Sequence, residues 1–318
     1  MIQGHLRSFV ALTAILIGVG TTDQAMSVAY ADLLYVSLTN DTVARFDVSS
    51  GVPATIQASR TTYATGLSVP TGLVFDQSGI LYVANYGNGT IHKIPAGGGS
   101  STVWVSGLGQ PRGLAFDTAG NLYAANAAAN AVWKIPASGT GVTQWATGLN
   151  GVTAVAFDGS GRLYAPNKLG NTVSRVGSSG GAFATWATGL SQPSGIALTA
   201  SGNAFIPNSN TNVISLVTAG GGSASTWATG FSTPYGVALD DGGNLYVANG
   251  GNNTISKVNP SGTVLYSFST GTDGPKFIAV VPEPSVPVIG FVAVAAAAGW
   301  ASRRGRRVPT MRDRSHNA

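Results

Sequence analysis

From Pro70 onward the chain alternates between short apolar runs and clusters of Gly, Asn, Asp and Ser. Gly72-Leu73-Val74-Phe75 is apolar and ends in Asp76-Gln77-Ser78-Gly79, a turn composition. Ile80 to Asn85 is rich in β-branched and aromatic residues, and Asn85 to Gly89 makes a second turn. Thr90-Ile91-His92-Lys93-Ile94 then alternates with the period of a half-buried strand. Pro95 and Gly97-Gly98-Gly99 break that strand, and Ser101 to Val105 supplies a fourth before Gly107. The pattern predicts four strands joined by turns, one antiparallel meander. No segment of residues 32–281 carries a helical period.

The meander recurs. Pro70, Pro111, Val152, Pro193, Pro234 and Pro275 hold one place in six copies, at a step of 41 residues. The same step links Tyr82, Tyr123, Tyr164, Phe205 and Tyr246, and also Tyr63, Trp104, Trp145, Trp186, Trp227 and Phe268. A lone meander leaves its faces open, whereas a ring of them packs each on the next. The ends of the array are complementary. Leu34–Ser37, Thr42–Phe46 and Thr61–Thr65 give three strands without an inner one, and Phe277–Val281 gives an inner strand without the others. The predicted fold is all-β: a six-bladed β-propeller of four-stranded antiparallel blades over residues 32–281, closed by N- and C-terminal strands sharing one blade.

The words Gly113-Leu114-Ala115-Phe116-Asp117, Gly120-Asn121-Leu122-Tyr123 and Asn253-Thr254-Ile255-Ser256-Lys257-Val258 keep this order in most copies. They resemble the NHL repeat of six-bladed propellers. The Gly-His and Trp-Asp pairs of the tryptophan-aspartate propellers are absent from the repeats. The resemblance implies a fold shared by gluconolactonase-like and virginiamycin-lyase-like enzymes, a peptide-amidating lyase and many binding modules, and fold alone does not choose among them.

The ends read differently. Arg7, the apolar run Phe9 to Val19 and Ala29-Tyr30-Ala31 have the order of a secretory signal peptide over residues 1–31, cut after Ala31 or Ala29. Pro282-Glu283-Pro284, an apolar run from Val286 to Ala301 and the cluster Arg303, Arg304, Arg306 and Arg307 follow the repeats. Residues 282–307 resemble the PEP-CTERM sorting signal read by exosortases of Gram-negative bacteria. The run of 16 residues spans about 24 Å at about 1.5 Å each, short of a hydrocarbon core of about 30 Å. A transient inner-membrane anchor with residues 308–318 as a basic cytoplasmic tail is expected; a plain membrane anchor is the alternative. The resemblance implies signal peptidase and exosortase as partners during export, and a final place at the cell surface or in the extracellular matrix.

Charge follows the same division. Of 17 Lys and Arg in the chain, residues 32–281 hold ten, against nine Asp and no Glu, a net of +1. The basic character belongs to the ends, and the repeats carry no Lys/Arg cluster of the kind that binds nucleic acid. Cysteine is absent, so disulfide and thiol chemistry are excluded.

A propeller's ligand site lies at one mouth of its channel. The residues after each repeat proline, Thr71, Arg112, Thr153, Ser194, Tyr235 and Lys276, are expected there. So are Asn85, Asn126, Asn167, Asn208 and Asn249 at the ends of the second strands, followed by Asn130, Asn171, Asn212 and Asn253. Asn repeating with the strand register also suits turn capping. A metal-dependent lactonase needs converging oxygen donors, yet Glu is missing and Asp76, Asp117, Asp158 and Asp240 fall in turns at the other mouth. His92 is the one histidine between residues 6 and 315 and is expected as a solvated strand residue. No catalytic residue, metal ligand or cofactor is assigned. Arg112, Tyr235 and Lys276 break the small-residue pattern and fit an acidic sugar or carboxylate. The expectation is a non-enzymatic binding or structural module for exopolysaccharide or another surface protein; the alternative is a lyase or lactonase resembling the enzymes of this fold.

Overall fold

The computed structural model describes residues 32–48, 59–177, 180–181 and 183–282. They form six four-stranded antiparallel blades. Blade 2 sets the plan: inner strand Pro70–Phe75, then Leu81–Asn85, Thr90–Ile94 and the outer strand Thr102–Val105. Blade 3 starts at Pro111–Phe116, blade 4 at Ala156–Phe157, blade 5 at Ala197–Leu198 and blade 6 at Pro234–Leu239. Blade 1 takes Asp32–Leu38, Val43–Val48 and Ser59–Thr65 from the N-terminal side and its inner strand Pro275–Pro282 from the C-terminal side.

That shared blade closes the ring in the expected register, with Leu34 opposite Val280 and Val36 opposite Ile278. Side chains reinforce it. The Phe277 amide donates to Ser37 Oγ and the Gly274 amide to Thr39 Oγ1. Arg60 joins Thr270 O and the Asp273 carboxylate. Pairing the two ends removes an open inner edge that would otherwise invite another strand.

The aromatic residues explain how blades stack. Trp104, Trp145 and Trp186 on outer strands meet Tyr82, Tyr123 and Tyr164 of their own blades edge-on, at 4.7–5.0 Å between centroids. Phe116 and Phe157 of the following blades approach Tyr82 and Tyr123 in the same manner. Such pairs add about 0.5–1.5 kcal/mol each beyond the burial of their area. The following blade also lays a turn on each outer-strand aromatic. Gly98, Gly139, Gly180, Gly221 and Gly262 lie on Tyr63, Trp104, Trp145, Trp186 and Trp227, and a Cβ there would come within 2.4–2.5 Å of them. These five glycines also have left-handed φ, so both the contact and the backbone require glycine. Two of these turns extend the neighbouring outer strand in parallel, Thr65 beside Ser100 and Thr188 beside Ser223.

Gly221 and its neighbour Gly222 separate these two requirements. Both have left-handed φ, but a Cβ on Gly222 meets nothing within 4 Å. Gly222→Ala should cost about 1–2 kcal/mol from backbone strain, and Gly221→Ala about 1–3 kcal/mol more from overpacking on Trp186. Chemical denaturation of the two variants measures this; equal losses would contradict the packing role.

Candidate functional site

The inner strands begin at one mouth, here called the upper, and the residue after each starting proline or valine takes one of two courses. Thr71, Thr153 and Ser194 are buried, and their hydroxyls lie 2.7–3.1 Å from Pro111 O, Pro193 O and Pro234 O of the next blade. They staple blade to blade and are closed to ligand. Arg112, Tyr235 and Lys276 are too large for that slot and are only partly buried. The sequence thus leaves three of six positions at this mouth for other work.

The asparagines at the ends of the second strands belong to the frame. Asn85, Asn126, Asn167, Asn208 and Asn249 are 0–3% exposed. Asn85, Asn167, Asn208 and Asn249 accept from the amides of Ser68, Asn150, Ser191 and Ser232 at 2.8–3.3 Å. Asn126 accepts from the Ala129 amide and donates to Leu108 O. Their amide groups hold the loop before each inner strand and offer little to a ligand. The next set is also structural: Asn130, Asn171 and Asn212 take left-handed φ and accept from Gly151, Gln192 and Thr233 of the following blade.

Cations gather at this mouth. The Arg112 guanidinium lies 4.7 Å from the Tyr86 ring centroid, and Lys276 Nζ lies 4.2 Å from that of Tyr235. Arg112 Nε is buried without a hydrogen-bond acceptor. Lys168, which follows Asn167, joins them. Burial and the nearby Arg112 charge push the Lys168 amine below the usual lysine range. Burial, then Arg112 and Lys168, does the same to Lys276. Among the described residues none of the three makes an ion pair with a carboxylate. Lys168 and Tyr86 escaped the sequence reading although the signal was present: the series Tyr86, Ala127, Lys168, Ser209 and Gly250 is small except at those two places.

The lower mouth is balanced. Lys257 pairs with Asp240 and Arg162 with Asp158, both at 3.0 Å. Asp76 and Asp117 accept from turn amides at Ser78, Ile80, Ala119 and Asn121. Burial, then the Asp76 charge, pushes the Tyr82 phenol up to about 12. A cavity of about 360 Å³ lies on this side between blades 2 and 3, among Tyr82, Trp104, Phe116, Asp76 and Asp117. Its size suits a small molecule, but both carboxylates are already committed to their turns. The upper mouth is the stronger site because Arg112, Lys168 and Lys276 have no carboxylate partner among the described residues.

The channel does not run through. At the ring position held by Gly72, Gly113, Ala154, Gly195 and Gly236, the sixth blade to contribute has Phe277. Phe277 packs against the core that includes Leu73 and Tyr35, and also against the core that includes Ala154 and Ile196 on the far side of the ring. A void of about 80 Å³ lies beside Phe277 on the axis, among Gly72, Gly113, Ala154 and Gly195, well under the roughly 300 Å³ of a small-molecule pocket. The upper mouth is therefore a basin with a floor.

His92 departs from expectation. It is buried rather than solvated, with Nδ1 2.8 Å from Ser101 Oγ, and Ser101 donates to Gly66 O. Ser101 then accepts from Nδ1–H, and Nε2 is left buried without a partner. The reason is its place on the third strand of blade 2, where residues on both faces are buried. No three His, Asp or Glu side chains converge among the described residues. The processing positions Ala29, Ala31, Glu283, Pro284, Arg303 and Arg304, and the apolar run 286–301, lie outside the described residues; Pro282 ends the closing strand.

Comparison with known proteins agrees with the architecture. The NHL repeat matches residues 231–258, which contain the first three strands of blade 6. Comparison with curated protein sequences returns no match. A chain in the crystal structure of a nidogen/laminin complex is similar at 17% identity and a TM-score of 0.70, covering 79% of this chain and 98% of that one. The virginiamycin B lyase of Staphylococcus aureus is similar at 20% identity and 0.53, covering 64% and 70%. A streptogramin B lyase follows at 15% identity and 0.54, covering 77% and 76%. At these identities the likeness is one of fold.

Burial holds the His92 pKa below its usual value. The unfolded chain therefore binds the proton first, so His92 contributes full stability above about pH 6.5 and loses it as pH falls through that value. Melting temperature should fall between about pH 7 and 5, and His92→Gln should flatten the slope. An unchanged slope in the variant would show that the ring is not the titrating group.

Proposed function

We propose that this propeller is a binding module that holds an acidic polysaccharide, of the uronate type, in the basin at its upper mouth. One observation carries the reading: Arg112, Lys168 and Lys276 share a floored basin and none has a carboxylate partner among the described residues. Leaving three cations together is unfavourable, and an anion relieves both their repulsion and their unmet hydrogen bonding. Tyr86 and Tyr235 stack with Arg112 and Lys276 and hold these two cations at the mouth. Leu169 and Val69 are exposed on loops near this mouth and suit an extended partner better than a small ion.

Placement outside the cell follows from the ends of the chain. The reading has the precursor cut near Ala31 and near Pro282-Glu283-Pro284, with the apolar run and arginines removed after sorting. The mature domain then carries little net charge, so its affinity for polyanions would come from the basin and not from its overall charge.

Arg112 and Lys276 test the binding claim. The double variant Arg112→Ala/Lys276→Ala should weaken binding of a polyuronate by roughly 100-fold or more, given about 1.5–3 kcal/mol for each hydrogen bond to a charged group. Its melting temperature should stay close to that of the parent, because neither residue is a blade staple. Isothermal titration measures the first effect and calorimetry the second; unaltered binding would move the site elsewhere. Mass spectrometry of the cell-surface protein checks processing, with intact peptides from residues 286–318 in that fraction as the contrary result.

A further inference from the structure

We propose a further ligand site in the cleft between blades 2 and 3 at the lower mouth, which takes a single neutral sugar ring. The cavity there measures about 360 Å³, at the small end of the roughly 300–1,000 Å³ of ligand pockets. It has room for one ring and not for a stretch of chain. Its inner wall is aromatic: Tyr82 meets Trp104 and Phe116 at 5.0 Å between centroids, with interplanar angles of 81° and 85°. Its rim is polar, formed by the turns that carry Asp76, Ser78 and Thr118. An apolar wall beside a polar rim suits a pyranose, which has C–H groups on its face and hydroxyls at its edge.

A departure from the repeat gives this cleft an acceptor to spare. Asp76 is committed to its turn through one oxygen, since the amides of Ser78 and Ile80 both donate to Oδ1. In three other blades the residue four places after the Asp serves the second oxygen. Asn121 Nδ2 donates to Asp117 Oδ2 at 2.8 Å, Arg162 Nε to Asp158 Oδ2 at 3.0 Å and Asn244 Nδ2 to Asp240 Oδ2 at 2.8 Å. Blade 2 has Ile80 at that place, and its side chain donates nothing. Among the described residues the Tyr82 phenol is then the side-chain partner that Asp76 keeps. A carboxylate has about four acceptor positions, so one remains for a ligand hydroxyl in a charge-assisted bond. Charge favours a hydroxyl over an amine. Lys93 Nζ lies 5.0 Å from the Tyr82 centroid and 4.6 Å from that of Trp104, so the cation seat on these rings is taken. A second cation beside it would be repelled.

Saturation-transfer NMR of the full-length protein with the methyl glycosides of glucose, galactose, mannose and N-acetylglucosamine tests the site. At least one should bind, with its ring C–H protons the most strongly saturated. Ile80→Asn restores the residue of blade 3 and should weaken that binding about tenfold or more by occupying the second oxygen of Asp76. Ala137→Trp, on an exposed turn that lines the cleft, should block it sterically and serves if Ile80→Asn folds poorly. Arg112→Ala/Lys276→Ala should leave glycoside binding unchanged, and both cleft variants should still bind a polyuronate. No binding of any of the four glycosides, binding that persists in both cleft variants, or binding lost with Arg112 and Lys276 would overturn the inference. So would tighter binding of tetramethylammonium than of the glycosides, which would mark a cation cage.

Discussion

An outer-strand aromatic residue pressed against a left-handed glycine of the next blade is the contact on which this ring depends. It recurs from Tyr63 with Gly98 to Trp227 with Gly262, and at each the glycine has no room for a side chain. The contact fixes how closely successive blades approach at the rim. The inner strands show the same closeness at the axis, where a Cβ on Gly72 would lie 2.3 Å from Arg112 O and one on Gly236 2.6 Å from the Phe277 Cα. With spacing set at both radii, the first residues of the inner strands have two outcomes. A small hydroxyl fits the gap and bonds to the next blade, or a larger side chain leaves it and enters the basin. The proposed ligand site is thus a by-product of where the blade staple is given up.

Charge then separates the two mouths. The lower turns carry Asp76, Asp117, Asp158 and Asp240, which cap their own backbones, and two of them also meet Arg162 and Lys257. The upper loops use neutral Asn for the corresponding tasks, apart from Asp41, whose carboxylate is bound to the Val69 amide, while Asp273 before the closing strand is paired with Arg60. A domain with a net charge near zero therefore has one polarised face. Arg112, Lys168 and Lys276 have no carboxylate partner among the described residues, and a cluster of this kind marks a candidate functional site. Phe277 matters here for a simple reason: it packs across the axis of the ring, so in the proposed reading a chain-like anion would lie across the mouth and not thread it.

The ring was legible because a 41-residue step in sequence maps one-to-one onto a blade in space. Closure was legible too, since Phe277–Val281 and Leu34–Ser37 are complementary halves of one copy. The site was half legible. Departures from the repeat flagged Arg112, Tyr235 and Lys276, but Lys168 and Tyr86 lie one residue beyond the repeating Asn and passed unread. The repeat also concealed roles: Asn85 and its equivalents are invariant in position because they hold loops, and periodicity cannot distinguish that from lining a mouth. His92 misled for a different reason. Alternation within a strand says which face a residue takes, but in a propeller both faces of a blade are covered by neighbours, so a polar strand residue is not thereby a solvated one.

Lysine side-chain NMR of the ¹⁵N-labelled protein, titrated with pH and then with a uronate oligomer, tests the account most directly. The account predicts that the Lys168 and Lys276 amines titrate below the usual lysine range in the free protein, and that the oligomer moves both upward by supplying the missing negative charge. Titration of both at the usual lysine value, with no change on adding the oligomer, would contradict it.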